Sequence, residues 1–194
     1  MVDGRTRLFV RQILTSPGSI GAIFPSSGVL AERMIQCAEL QADSVVAEYG
    51  PGTGAFTEHI VKALAPGQIF FAIEVNEKFA AALRGRFPGL RLHLECASRV
   101  EDCCHREGVD RLDRVISGLP WAIFPDDLQD RILDAMIRVM PPGGVFVTFA
   151  YLQGLMLPAG RRFRRNLKRR FSSVETSDVI WLNLPPAVVY RCVR

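Results

Sequence analysis

The sequence predicts an α/β protein: a doubly wound, mostly parallel sheet of seven strands, the last two forming an antiparallel pair. Three observations carry this. Short apolar runs alternate with segments of helical period through most of the 194 residues, the pattern of strand–helix–strand units with helices on both faces. The runs are separated by turn residues, with no long linker and no internal repeat, so one domain over residues 1–194 is expected. The last two apolar runs flank Pro185-Pro186 with no helix between them, which points to antiparallel pairing.

Taken in order, "RTRLFVRQIL" reads as a short helix with Leu8, Phe9, Ile13 and Leu14 on one side and Arg5, Arg7 and Arg11 mostly elsewhere. "TSPGSIGAIFPSS" is rich in turn residues. Ser26 or Ser27 then caps a helix running to about Leu40. "SVVAEY" is a buried strand and Phe56 to Leu64 a helix; "IFFAIE" is a strand, "EKFAAALRGRF" a helix and "LRLHLE" a strand. "DRVISG" is a strand, "DDLQDRILDAMIRVM" a helix ended by Pro141-Pro142-Gly143-Gly144, and "GVFVTFAY" a strand. "SDVIWLNL" and "AVVYRCV" are the expected antiparallel pair.

Composition narrows the class. With 48% hydrophobic and 23% charged residues the chain can build a packed core. Residues 12–31 are uncharged, but two prolines, three glycines and four serines make them poor material for a membrane span. "MVDGRTR" leads into no uninterrupted apolar segment, so no export signal is expected. The five cysteines form no CxxC pair and the three histidines show no ligand spacing, which predicts a reduced, cytoplasmic chain without metal. The net charge of +4 is uneven: "RRFRRNLKRR", Arg161 to Arg170, holds seven basic residues and no acid, while the rest holds 17 basic against 20 acidic. Such a patch suits an anionic partner, either a lipid surface or a phosphate backbone.

In a doubly wound sheet, ligands bind at the carboxyl ends of the strands, where strand order reverses. "EYGPGTG" puts Gly50, Gly52 and Gly54 at the first such turn, where glycine permits positive φ and close backbone approach. Glu74 ends the second strand, where an acid can accept hydrogen bonds from both hydroxyls of a ribose. Gly50-x-Gly52-x-x-Ala55 also fits the dinucleotide fingerprint. Glu48, placed to meet an ammonium group, and the antiparallel final pair favour S-adenosyl-L-methionine instead.

"EYGPGTG" followed by "AIEVN" resembles the class I S-adenosylmethionine-dependent methyltransferases, whose fold is the Rossmann-like sheet expected above. "GAIFPSS" before the first strand and "SGLPW" after the fourth are similar to the bacterial phospholipid N-methyltransferases, which methylate phosphatidylethanolamine or ornithine-containing lipids. The resemblance implies S-adenosyl-L-methionine as cofactor, S-adenosyl-L-homocysteine as product, and a lipid headgroup amine, phosphatidylethanolamine first, as acceptor. It implies cofactor contacts from Phe24, Ser26 and Ser27 in a covering segment within residues 1–40. Further contacts are implied from Glu48, the three glycines, Glu74, Val75, Ala97, Ser98 and Ser117. Cys96 stands where relatives often carry an adenine-binding aspartate, so that contact falls to backbone atoms or Ser98.

Ser117, Gly118, Leu119, Pro120 and Trp121 are expected to face the transferred methyl, with backbone carbonyls orienting the amine and Trp121 walling the site. Tyr151 is a candidate headgroup contact or proton acceptor, with His59 and His105 behind it. RNA adenine N6-methyltransferases carry a related loop with an asparagine at the position of Gly118; glycine there argues against adenine. For a lipid acceptor, Arg5, Arg7 and Arg11 and the run of Arg161, Arg162, Arg164, Arg165, Lys168, Arg169 and Arg170 are expected to meet an anionic membrane. The protein would then lie peripherally on the inner face of the cell membrane. The alternatives are an RNA adenine N6-methyltransferase and an inactive module that binds cofactor and membrane.

Overall fold

The computed structural model describes residues 27–194. Ser27 caps α1 (Gly28–Ala38), its hydroxyl accepting the Leu30 N–H. Then follow β1 (Val46–Tyr49), α2 (Ala55–Ala63), β2 (Phe70–Glu74), α3 (Glu77–Arg86), β3 (Arg91–Leu94), α4 (Val100–Glu107) and β4 (Arg114–Ser117). The chain continues through α5 (Asp126–Val139), β5 (Val145–Tyr151), the short α6 (Leu152–Leu155), α7 (Pro158–Arg170), β6 (Ser173–Thr176) and β7 (Ala187–Val193).

The strands form one seven-stranded sheet in the order β3-β2-β1-β4-β5-β7-β6. β1 to β5 are parallel, and β7 runs antiparallel between β5 and β6. Strand order reverses between β1 and β4, which sets a crevice at their carboxyl ends. Side-chain alternation along β1 sorts the core: Val46 packs under α1 and α2, while Ala47 and Tyr49 pack under α4, α5 and α7. Glu48 shares the α2 side and is bonded to Thr57 there.

Two elements differ from the expectation. The penultimate strand is Ser173–Thr176, and "SDVIWLNL" is a loop with a single bridge from Ile180 to Ala187. A hairpin tightened to Pro185-Pro186 needs a turn with positive φ, which proline cannot adopt. The loop instead turns Trp181, Leu182 and Leu184 outward and buries Asn183, which accepts the Ser27 N–H and donates to the Pro185 carbonyl. The second difference is α4, which the sequence reading passed over. Its apolar face is Val100, Cys103 and Cys104, so two of the cysteines weighed as redox or metal residues are core. Burial pushes their thiols up to about 12 and about 11, so they stay protonated.

Candidate active site

The glycine turn is built on left-handed backbone: φ is +67° at Gly50, +55° at Gly52 and +86° at Gly54. The Glu74 carboxylate sits beneath it, accepting the Gly52 N–H at 3.1 Å and the Asn76 N–H at 2.8 Å. Burial raises the Glu74 carboxyl above its ordinary range, and the N–H groups of Asn76 and Gly52 oppose that rise. Glu48 lies fully buried one strand over. Its Oε2 accepts the Thr57 hydroxyl at 2.7 Å, and its Oε1 has no hydrogen-bond partner. Desolvation pushes this carboxyl up to about 8, the Thr57 hydrogen bond lowers it, and the Glu74 charge adds to the rise.

Across the crevice the β4 loop leans on the glycine turn. A Cβ on Gly118 would lie 2.8 Å from the Gly50 carbonyl oxygen, and one on Gly50 would lie 2.6 Å from the Leu119 side chain. The Gly118 N–H donates to the Tyr49 carbonyl at 2.8 Å. Gly118 is therefore required by close packing, over and above its lack of an asparagine side chain. Val75, Glu95, Cys96, Ala97 and Leu119 close a cavity of about 10 Å³ against Gly50 and Glu74, a space for about one water. A nucleoside needs the Leu119 side chain and the glycine turn to part.

The expected site residues divide. Gly50, Glu74, Val75, Ala97 and Leu119 meet around one cavity, and Gly118, Leu119, Pro120 and Tyr151 around a neighbouring one. Ser117 is fully buried and lines neither cavity, whereas Trp121 is buried from solvent but lines the second. The Ser117 hydroxyl accepts the Trp121 indole N–H at 3.1 Å and the Leu119 N–H at 3.3 Å. Trp121 is buried and stacked on Phe163, ring centroids 5.1 Å apart. These bonds lock the loop, and Trp121 also lines the neighbouring cavity with Gly118, Leu119, Pro120 and Tyr151, while the Ser117 hydroxyl is turned into the core. Ser98 donates to the Cys96 sulfur at 3.2 Å and does not line the cavity, whereas Glu95, Phe124 and Ile132 do. Glu95 stood within the stretch "LECAS" as the only acid there, the one signal that could have singled it out. Ser27 spends its hydroxyl on the α1 cap.

Burial holds the Tyr151 hydroxyl above its ordinary range, so it stays protonated and suits hydrogen bonding better than proton abstraction. His105 is exposed on α4, and His59 lies near Gly28. Phe24, Ser26, Arg5, Arg7 and Arg11 lie outside the described residues.

The basic run forms most of α7, and its charges separate into two sets. Arg162 pairs with Asp126, Arg169 with Asp130, and Arg170 with both Asp130 and Asp134, all on α5. Of these three, Arg170 is largely buried in its ion pairs, whereas Arg162 and Arg169 keep exposed side chains beside their acidic partners. Arg161, Arg164, Arg165 and Lys168 are exposed, share the opposite stripe of α7, and make no ion pair among the described residues. A buried bond between helices, Asn166 Nδ2 to Gln129 Oε1 at 3.1 Å, continues from the Gln129 amide to the Trp121 carbonyl at 2.9 Å. The basic helix is thus tied to the β4 loop. Among the described residues no group of side chains could hold a metal, and no helix is long and apolar enough to cross a membrane.

The fold is that of the class I S-adenosylmethionine-dependent methyltransferases. It matches an O-methyltransferase from Bacillus cereus, solved in complex with SAH, with a TM-score of 0.69, 14% identity and coverage of 98% of this chain and 91% of that one. In sequence the chain resembles an ornithine lipid N-methyltransferase from Singulisphaera acidiphila, 28% identical over 188 residues, which are 95% of this chain and 94% of that protein. The ribosomal RNA small subunit methyltransferase A of Thermotoga maritima is 30% identical over 118 residues, 59% of this chain but only 39% of that enzyme. No protein-family profile matches the chain.

Proposed function

We propose that this chain transfers the methyl group of S-adenosyl-L-methionine to the amine of a lipid headgroup at a membrane surface, with phosphatidylethanolamine as the first substrate to test. The observation that carries the reading is the extent of the likeness: it runs through nearly the whole of a lipid N-methyltransferase, whereas the likeness to RNA enzymes covers about two fifths of their length. In this reading the chain works as one unit, and residues 1–40, with Phe24 and Ser26, close over the cofactor.

The residues fit that cofactor. Glu48 Oε1 is a buried acceptor without a partner, suited to an ammonium group. Glu74, at the tip of β2, can exchange the Gly52 N–H for ribose hydroxyls. The cofactor supplies an electrophilic methyl carbon. Bound there, it would offer that carbon to the lone pair of a neutral amine with the thioether sulfur as leaving group, and the methylated ammonium would return its proton to solvent. An alkyl amine is protonated at neutral pH, and holding it neutral costs about 4 kcal/mol. Among the described residues no side chain around the β4 loop is a free base, since Glu48 and Glu74 are buried and bonded and Tyr151 stays protonated. The protein therefore contributes by selecting the neutral amine and aligning it, through the carbonyls of the Gly118–Pro120 bend and the Tyr151 hydroxyl.

Purified chain with methyl-labelled cofactor is expected to label phosphatidylethanolamine or ornithine lipid in vesicles. Label in small-subunit ribosomal RNA and in no lipid would replace this reading with the adenine one. Cofactor and vesicle binding without turnover on any amine lipid would leave the inactive module.

A further inference from the structure

Beside the β4 loop lies a second cavity of about 210 Å³, which shares the Gly118–Pro120 bend and Tyr151 with the proposed transfer site and extends beyond them. The loop, Gly118 to Ile123, forms one wall; the end of β5, α6, and the rings of Phe163 and Tyr190 form the others. Gly160 lets α7 approach α6 closely, since a Cβ there would sit 2.2 Å from the Gly154 carbonyl oxygen. The lining is almost all carbon, with the Tyr151 and Tyr190 hydroxyls and the Gln153 amide as its polar side-chain groups. Ile123 and Leu157 line it and are also 44% and 56% exposed, so they mark its opening to solvent. α7, which follows Leu157 directly, carries Arg161, Arg164, Arg165 and Lys168 exposed along its length.

We propose that this cavity receives the glycerol-proximal segment of a lipid acyl chain while the headgroup amine lies at the Gly118–Pro120 bend. The proposal rests on the lipid reading above and adds a binding site to it. A phosphate or a nucleobase is a poor occupant, because neither a buried cation nor a set of polar groups faces the space. A hydrocarbon segment suits it, since the space is many times what a single water needs and its lining is apolar. The need is physical. For the amine to reach the crevice, the lipid must rise from the bilayer, and each methylene that leaves hydrocarbon for water costs free energy in proportion to its area. An apolar space sharing a wall with the transfer site removes that cost. The unpaired cations of α7 suit the anionic surface from which the lipid is taken.

The test compares dihexanoyl phosphatidylethanolamine, dissolved below its micellar concentration, with glycerophosphoethanolamine, which has the same headgroup and no acyl chain. The whole chain is expected to use the acylated substrate with at least a tenfold higher kcat/KM. Ala150→Phe narrows the cavity from β5, and Leu157→Gln makes its opening polar at an exposed site that folding tolerates. Each is expected to raise KM for the short-chain lipid several-fold while leaving cofactor affinity by calorimetry unchanged. Each should also weaken binding of dansyl-undecanoic acid. Equal use of the two substrates, or unchanged KM and probe binding in both variants, overturns the acyl site while leaving lipid methylation standing. Methylation of no amine lipid of any chain length removes the lipid reading and this site with it.

Discussion

Glu48 keeps its proton far into the neutral range, and the consequence is measurable without any ligand. Its carboxyl is pushed up to about 8 in the folded chain, while in the unfolded chain it titrates near 4.5. Between these values the native state holds a proton the unfolded state has released, so stability falls as pH rises through that window and levels off above it. The slope is at most about 1.4 kcal/mol per pH unit. Urea midpoints should drop from about pH 5 to pH 8. Glu48→Gln should flatten the curve, leaving the remaining slope from the raised Glu74 carboxyl. A wild-type curve already flat over that range would show that Glu48 is ionised in the folded chain. Gly118 gives the second prediction at this scale. Its missing Cβ would meet backbone, the Gly50 carbonyl, which cannot swing away as a side chain can. Gly118→Ala is expected to cost about 1–3 kcal/mol of stability by overpacking and to weaken cofactor binding, read by thermal unfolding and calorimetry. An unchanged melting temperature would mean the two loops stand apart in solution. The glycines and the two acids were legible in the sequence because backbone conformation and charge are local properties. The inward turn of Ser117 and Trp121 was not, because it depends on Phe163, which lies 42 residues further on and stacks on the indole.

Helix α7 shows what pattern alone conveys about a charged element. Seven basic residues in ten announced an anionic partner, but only the neighbouring helix decides which of them are free. Asp126, Asp130 and Asp134 recur every four residues along α5 and engage Arg162, Arg169 and Arg170. The separation predicts two different phenotypes. Neutralising Arg161, Arg164, Arg165 and Lys168 to Gln should weaken binding to anionic vesicles by about 1 kcal/mol per residue and leave thermal stability unchanged. Neutralising Arg162, Arg169 and Arg170 should lower stability, by up to about 1 kcal/mol per exposed pair, and spare most vesicle binding in sedimentation. Equal loss of vesicle binding in both variants would mean that the ion pairs open at the surface. The same dependence on neighbours explains the misplaced strand. "SDVIWLNL" has the residue content of a strand, but it meets the start of β7 only through Ser177 and the Ile180–Ala187 bridge, and beyond Ile180 the chain turns back through Asn183 to Pro185. The parallel strands and the helices α2, α3 and α5 between them were legible, since each carries its period within its own length. Helix α4 was missed because its buried stripe is only Val100, Cys103 and Cys104.

Over the whole molecule, apolar side chains gather at one end. Ile123 follows β4, Met156 and Leu157 follow β5, and Trp181, Leu182 and Leu184 lie in the β6–β7 loop. The sheet topology brings all three segments to the carboxyl ends of the parallel strands, around the crevice. Trp181, Leu182 and Leu184 are 70%, 78% and 72% exposed, and three large apolar residues held in water within four positions mark an interaction surface rather than chance scatter. Asn183, buried between them and bonded to the start of α1, holds the loop in this shape. On the lipid reading these tips enter the interface, where tryptophan is favoured, and the exposed cations of α7 add charge attraction. The chain offers its own reporter. It has two tryptophans, and Trp121 is already buried, so any blue shift of emission on adding vesicles comes from Trp181. The shift is expected with anionic phospholipid vesicles, and a Trp181→Ser, Leu182→Ser, Leu184→Ser variant should sediment with them several-fold less while still methylating dissolved short-chain lipid. Emission that stays at its solvent-exposed wavelength when the vesicles are methylated would mean that the enzyme meets the bilayer by another face. The acceptor would then have to reach the β4 loop from the α7 side, past Leu157 alone.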